Sequence, residues 1–84
     1  MRVGQVVISK QGRDKGLYFV VLDLDSGYVF LADGKLRTLN KPKKKKEKHV
    51  QPTNIMANLA TDGRTLQDAD IRKQLSCLGG SQRV

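Results

Sequence analysis

The sequence predicts a small, mainly β fold, a five-stranded barrel followed by one C-terminal α-helix. Its 84 residues allow one domain with a thin core. The first half contains short apolar runs, rich in strand-forming residues, between turns that carry glycine. The C-terminal part instead places its apolar side chains at helical spacing. These three observations indicate several strands first and a single helix last.

Three strands are expected before residue 33. They correspond to apolar runs at residues 6–8, 17–22 and 28–31. Each run is too short for an independent helix and is rich in β-branched or aromatic residues. A tight turn at 25–27 separates the second run from the third, and Asp33-Gly34 is a strong hairpin signal after the third.

A fourth strand is expected at residues 35–39 and a fifth at 49–51, where Pro52 ends it. Residues 40–48 lie between them and have no apolar side chain, so we expect an exposed, mobile, lysine-rich loop. Closure of the five strands into a barrel is expected because closure removes sticky sheet edges. The segment 52–64 fits either a helical turn or a strand extension.

Residues 55–84 form a C-terminal extension to the barrel domain of residues 1–54, with a helix expected over about 66–78. The apolar residues at helical spacing, followed by a stop signal, are Ile71, Leu75 and Leu78, then Gly79-Gly80. Thr65 with Asp68 three residues later resembles a capping box. The apolar side of this helix should pack on the barrel or on a partner protein.

The first part of the chain is strongly basic. Sixteen Lys and Arg residues against eight Asp and Glu residues give a net charge of +8. Residues 1–49 contribute twelve basic and five acidic residues, a net charge of +7, and residues 50–84 contribute a net +1. A one-sided excess of this kind attracts polyanions, chiefly nucleic acid or an anionic membrane.

No pattern in the sequence indicates catalysis, a metal site or a cofactor. The single cysteine, Cys77, excludes an internal disulfide framework and a cysteine-based metal site, and we expect it to be a small buried hydrophobe. His49 has no second histidine to share a metal and is expected to be a strand residue. No segment has the roughly 20 apolar residues of a membrane span. We therefore expect a soluble, cytoplasmic protein that is not an enzyme.

The polar loop at residues 10–16 is the first candidate binding element. Its cations and glycines are Lys10, Gly12, Arg13, Lys15 and Gly16. Cations close to free backbone N–H groups at one end of a barrel suit a phosphate. Gly16 is expected to adopt a positive φ, and Asp14 to cap the turn by accepting a hydrogen bond from a nearby backbone N–H.

The second candidate element is the run of cations between residues 35 and 48. It consists of Lys35, Arg37, Lys41, Lys43, Lys44, Lys45, Lys46 and Lys48. Lysines act on phosphates as point charges and do not read base edges, so this run predicts salt-sensitive binding with little sequence preference. A merely solubilising loop and a nuclear localisation signal at 42–46 are the alternatives.

The segment that includes the loop 10–16 resembles a KOW motif, the short glycine-containing motif of several ribosomal proteins and transcription elongation factors. The matching residues are Gly4, Val7, Gly12, Arg13, Asp14, Lys15, Gly16 and Val20. Ser9 departs from the pattern, which usually has an apolar residue there. The resemblance implies an SH3-like barrel and RNA binding.

A second match extends the resemblance to residues 3–54. Ala32-Asp33-Gly34, then a basic strand, then HVQPTN at 49–54, resemble the archaeal and eukaryotic-type large-subunit ribosomal proteins of family fourteen and their small bacterial relatives. This implies a ribosome-associated protein that contacts large-subunit ribosomal RNA. The residues expected to contact RNA are Lys10, Gly12, Arg13, Lys15, Gly16, Lys35, Arg37, Lys41, Lys43, Lys44, Lys45, Lys46 and Lys48.

Two other functions remain open from the sequence. One is a KOW protein-interaction module of a transcription or translation factor, in which the C-terminal helix contacts the partner. The other is a reader of methylated residues, which needs an exposed aromatic cage. The aromatic residues are Tyr18, Phe19, Tyr28 and Phe30. Tyr28 and Phe30 share one strand face and are expected in the core, with stacking on RNA bases as the functional alternative.

Overall fold

The computed structural model describes residues 1–59, 63 and 65–82, with residues 77–82 described by their backbone alone. These residues form a mainly β domain with one C-terminal helix, which confirms the predicted fold class. The elements are β1 (Gln5–Ser9), β2 (Tyr18–Asp25), β3 (Tyr28–Ala32), β4 (Lys43–Lys46), a 3₁₀ turn (Glu47–His49), β5 (Val50–Met56) and α1 (Asp68–Gln82).

The five strands form one antiparallel sheet in the order β4-β3-β2-β1-β5. One face of this sheet buries an inner core, which consists of Val7, Phe19, Val21, Val29, Leu31 and Val50. Because β1, β2, β3 and β5 all contribute to a single cluster, the sheet curls around it, which is consistent with a small SH3-like β fold. The expected closure into a barrel is not observed: the sheet is open, since no ladder joins its edge strands β4 and β5 within residues 1–59.

The opposite face of the sheet packs against helix α1. Val6 and Val20, which alternate with inner-core residues along β1 and β2, meet Ile71 and Leu75 of the helix in a second apolar cluster. Ile71 is fully buried and Leu75 nearly so, as the helical spacing predicted. The apolar side of α1, as far as Leu75, therefore packs on the sheet, which was one of the two expected outcomes.

The prediction of a fourth strand at residues 35–39 is wrong, because this segment is a tight turn. The Asp33 carboxylate accepts hydrogen bonds from the backbone N–H groups of Lys35 and Arg37, at 2.8 and 2.9 Å. The N–H groups of Asp33 and Gly34 both donate to the Arg37 carbonyl. An Asp side chain that bonds its own following backbone competes with strand pairing, and here it closes a turn.

The expectation of a mobile lysine loop at 40–48 is also wrong, because Lys43–Lys46 forms strand β4. It pairs with β3 in a register that places Lys44 opposite Phe30 and Lys46 opposite Tyr28. Lys43 and Lys45 are partly buried on the other face, while Lys44 and Lys46 are exposed. Long lysine stems can cover apolar surface while the ammonium stays near solvent, which allows a strand with no apolar residue to pair here.

Strand β5 starts after His49 and continues beyond Pro52. The expectation that Pro52 ends this strand is therefore wrong. The structure assigns the ambiguous segment after Pro52 to a strand extension as far as Met56. Proline is tolerated here because β5 is an edge strand, where one side of the backbone has no partner strand. His49 itself lies in the 3₁₀ turn and not in a strand.

Helix α1 begins two residues later than expected, and its N-terminal contacts differ from the predicted capping box. The Asp70 carboxylate accepts a hydrogen bond from the Gln67 N–H at 2.8 Å. Asp68 instead accepts from the Leu39 N–H at 2.7 Å, which ties the helix to the 33–42 connection. The helix backbone continues through Gly79-Gly80 to Gln82, so the predicted stop is wrong. The side chains of Cys77 and Leu78 lie outside the described residues.

The placement of two aromatic residues in the core is wrong as well. Phe19 is fully buried, but Tyr28 and Phe30 alternate with the buried Val29 and Leu31 and lie half-buried on the other face of β3.

No helix in the described part of the chain is long and apolar enough to cross a membrane. Across the same residues, no three His, Cys, Asp or Glu side chains cluster in a way that could hold a metal ion.

Candidate nucleic-acid interface

The loop between β1 and β2, residues 10–16, turns on two glycines in the left-handed region. Gly12 has φ +88° and Gly16 has φ +89°, and a positive φ at Gly16 was predicted from the sequence. Hydrogen bonds close the loop, from the N–H of Gly16 to the Ser9 carbonyl and from that of Leu17 to the Asp14 carbonyl. The N–H groups of residues 11–14 have no acceptor within the described residues. Consecutive free N–H groups of this kind commonly form anion-binding concavities in proteins.

A partly buried polar network fixes the shape of this loop. The Ser9 hydroxyl lies 2.7 Å from the Asp14 carboxylate, to which it can donate, and 3.0 Å from the Gln11 carbonyl. The Lys45 ammonium donates to the Gln11 carbonyl at 2.8 Å and to Asp14 at 3.2 Å. Asp14 therefore does not cap the turn through a backbone N–H as expected. It joins the loop to strand β4, and this explains a polar residue at position 9.

The Asp14 carboxyl is held in its charged form. Burial raises its pKa, but the hydrogen bonds from Ser9 and Lys45, with the nearby charge of Lys43, lower it below the ordinary value of 3.8. The side chains of Lys45 and Asp14 are only 9% and 15% exposed, so water screens this ion pair weakly. Lys45 therefore acts as a structural cation of the loop.

We expect Asp14→Asn to lower the free energy of unfolding by about 1–2 kcal/mol at pH 7, because Lys45 loses its charged partner. The folded protein keeps the pKa of Asp14 below 3.8, so the carboxylate stabilises the fold above that value. This contribution is lost as the pH falls through the folded-state pKa. The difference between wild type and variant, measured by urea unfolding, should therefore be constant from pH 7 to about pH 5 and shrink at lower pH. Asp25→Asn, at the exposed end of β2, is the matched control, and an equal loss in both variants would contradict the role of the network.

The outer side of strand β4 carries two exposed lysines beside two aromatic rings. The ammonium of Lys44 lies 4.6 Å from the centre of the Tyr28 ring and 5.8 Å from that of Phe30. Lys46 is directly opposite Tyr28 in the ladder. Cation–π contact of this kind orders Lys44 over the sheet surface. Sequence reasoning missed this arrangement because it treated the lysines as a loop and the aromatics as core.

The 3₁₀ turn brings a further set of cations to the same end of the sheet. The Lys10 N–H donates to the His49 carbonyl at 2.9 Å, which attaches the turn to the start of the loop 10–16. Partial burial, and then repulsion from Lys48, Lys45, Lys46 and Lys10, lowers the pKa of His49 below its ordinary value of 6.5. His49 thus lies in a positive electrostatic field.

The structure brings most of the predicted residues together and leaves two apart. Several of them lower the pKa of Asp14 or of His49, and others line one cleft. The residues linked in these ways are Lys10, Arg13, Arg37, Lys43, Lys45, Lys46 and Lys48. Gly12, Lys15 and Gly16 belong to the same loop, and Lys44 belongs to the same strand as Lys43 and Lys45 but lies on its other face. Lys35 and Lys41 are exposed on the 33–42 connection, and neither side chain makes a hydrogen bond or ion pair within the described residues.

Comparison of this chain with protein-family models and with curated proteins gives no match.

Proposed function

We propose that this protein binds RNA through the phosphate backbone, using the basic end formed by the loop 10–16, strand β4 and the 3₁₀ turn. The observation that carries the proposal is the link from Lys45 to Gln11 and Asp14, which joins two cation clusters that are far apart in sequence. Four free backbone N–H groups lie beside these cations. Together they offer donors and positive charge to consecutive phosphates.

The proposed role of each residue depends on whether its side chain is exposed or already bonded within the protein. Arg13, Lys15, Lys44, Lys46 and Lys48 are exposed and would reach phosphates directly. Lys45 is already bonded to the loop, so its proposed role is to hold the loop in shape. Gly12 and Gly16 would contribute through the backbone they allow. Binding of this type depends on counterion release and has little sequence preference.

A ribosomal setting is the second part of the proposal, and it rests on the resemblance of residues 3–54 to large-subunit KOW proteins. The protein would then be cytoplasmic and associated with ribosomal RNA. Sedimentation of cell extract at moderate salt tests this part. Co-migration with large ribosomal subunits would support it, whereas co-purification with RNA polymerase would favour the protein-interaction alternative. Helix α1 offers little apolar surface to a partner protein, because its apolar side up to Leu75 packs on the sheet.

His49 provides a direct test of RNA binding at this end. Partial burial and the lysines around it hold its pKa below 6.5 in the free protein, and phosphates among those lysines would neutralise their field. We therefore expect RNA to raise the pKa of His49, measured by NMR titration of the imidazole with and without a saturating RNA duplex. Binding would then take up protons, and affinity would increase as the pH falls from about 7.5 to 5.5.

The control for this titration is the His49→Gln variant, which should bind RNA with a weaker pH dependence in that range. An unchanged His49 pKa in a saturated complex would place the RNA elsewhere on the protein. An absence of RNA binding at low salt would reject the proposed function as a whole.

A further inference from the structure

A cleft of about 370 Å³ lies between the loop 10–16 and the turn that follows β3. Its cations are Arg13 from the loop, Arg37 from the turn and Lys43 from the start of β4. Its apolar side chains are Leu17, Phe19 and Leu36. This volume is at the lower end of the range for small-ligand pockets.

The apolar part of the cleft is unusually exposed. The side chain of Leu36 is 79% exposed and that of Leu17 is 40% exposed. Leu36 is presented by a fixed turn, because the Asp33 carboxylate holds the N–H groups on both sides of it. Two exposed leucines in one concave site, one of them on a fixed turn, form a surface that an apolar ligand face would cover.

The polar part of the cleft is suited to an anion. Arg13, Arg37 and Lys43 make no side-chain hydrogen bond or ion pair within the described residues, so their ammonium and guanidinium groups can bind a ligand, although the charge of Lys43 also acts on Asp14. The two carboxylates that line the cleft already accept hydrogen bonds within the protein. Asp14 accepts from Ser9 and Lys45, and Asp33 accepts from backbone N–H groups of its own turn.

We propose that this cleft receives one unstacked base of single-stranded RNA. The leucines would contact the face of the base, while Arg13, Arg37 and Lys43 would hold the phosphates on either side of it. An unpaired nucleotide presents the flat apolar face of its base between negatively charged phosphates, and a paired nucleotide does not. The inference deepens the proposed function and rests on it, adding a preference for single strands.

The test compares two single-stranded octaribonucleotides of equal charge, one of mixed sequence and one with abasic ribose at every position. Fluorescence anisotropy at low salt measures their affinities. We expect the base-containing octamer to bind about tenfold more tightly, because burial of apolar surface between the base and the leucines adds to the phosphate contacts. Leu36→Ser should weaken the binding of the base-containing octamer about fivefold, through lost apolar burial, and leave the affinity for the abasic octamer unchanged. Leu36 is exposed, so this substitution should not affect folding.

Leu24→Ser is the matched control, because Leu24 is also an exposed leucine but lies on β2 outside the cleft. It should change neither affinity. Equal binding of the two octamers by wild type would overturn the base site while leaving phosphate binding intact. A preference for bases that Leu36→Ser does not reduce would also overturn it. If neither octamer binds, the proposed function fails together with this inference.

Discussion

Replacing Arg13, Lys15, Lys44 and Lys46 together with glutamine is expected to weaken RNA binding on the order of 100-fold at low salt. These four side chains are exposed, and they belong to the two elements that the Lys45 contacts join. Each phosphate contact that is lost removes a share of counterion release. For single-stranded RNA, the slope of log affinity against log salt should therefore fall by about 0.7 per contact, or about 3 for all four.

The substituted set deliberately leaves Lys45 in place. Replacing the whole run Lys43–Lys46 would also break the contacts of Lys45 with the loop, and a loss of affinity could then reflect a change of loop structure. Arg2→Gln with Lys73→Gln is the control, because both residues are exposed cations outside the proposed interface. The proposal fails if removing these two charges costs as much affinity per charge as removing the four.

The Gly34→Ala variant should be the most destabilising single substitution proposed here, with a loss of about 2–4 kcal/mol in the free energy of unfolding. A Cβ at this position would lie 2.5 Å from the Asp68 carbonyl oxygen and 2.7 Å from Cγ of Arg72. Gly34 also has φ +79°, which disfavours any other residue. A loss of this size is large for a domain of 84 residues, whose total stability is small. Urea unfolding measures it.

Gly27→Ala separates the two causes of this effect. Gly27 has φ +89°, but an added Cβ there would meet no atom within 4 Å. Its cost should therefore be that of the backbone conformation alone, about 1 kcal/mol. The difference between the two variants reports the close packing of α1 on the turn, where the Arg72 guanidinium also donates to the Gly34 carbonyl at 2.6 Å. Equal losses would mean that the helix does not depend on this contact.

Local sequence signals were sufficient for much of the fold. The turn before β3, the positive φ of Gly16 and the burial of Ile71 and Leu75 all depend on residues close together in the chain. Strand β4 could not be predicted in this way, since four consecutive lysines have no apolar pattern. It forms because β3 supplies a pairing partner and because the lysine stems cover the sheet surface.

The features of the candidate site that were missed depend on contacts between distant residues. Alternation along β3 predicted that Tyr28 and Phe30 share a face, but Val29 and Leu31 are equally apolar, so the sequence did not say which pair is inside. The choice depends on the curl of the sheet around Phe19. Likewise, nothing near Asp14 in the sequence indicates that its partner is Lys45, which is 31 residues away.

Strand β4 forms one edge of the open sheet, so its outer backbone groups have no partner strand within the described residues. An edge of this kind is a template on which another copy of the chain could add a strand. Two copies that met here edge to edge would bring eight lysines of the two β4 strands together, and their mutual repulsion opposes the approach. The lysine run therefore opposes self-association through this edge, whatever the protein binds, and a chain that lost these charges would lose that protection as well.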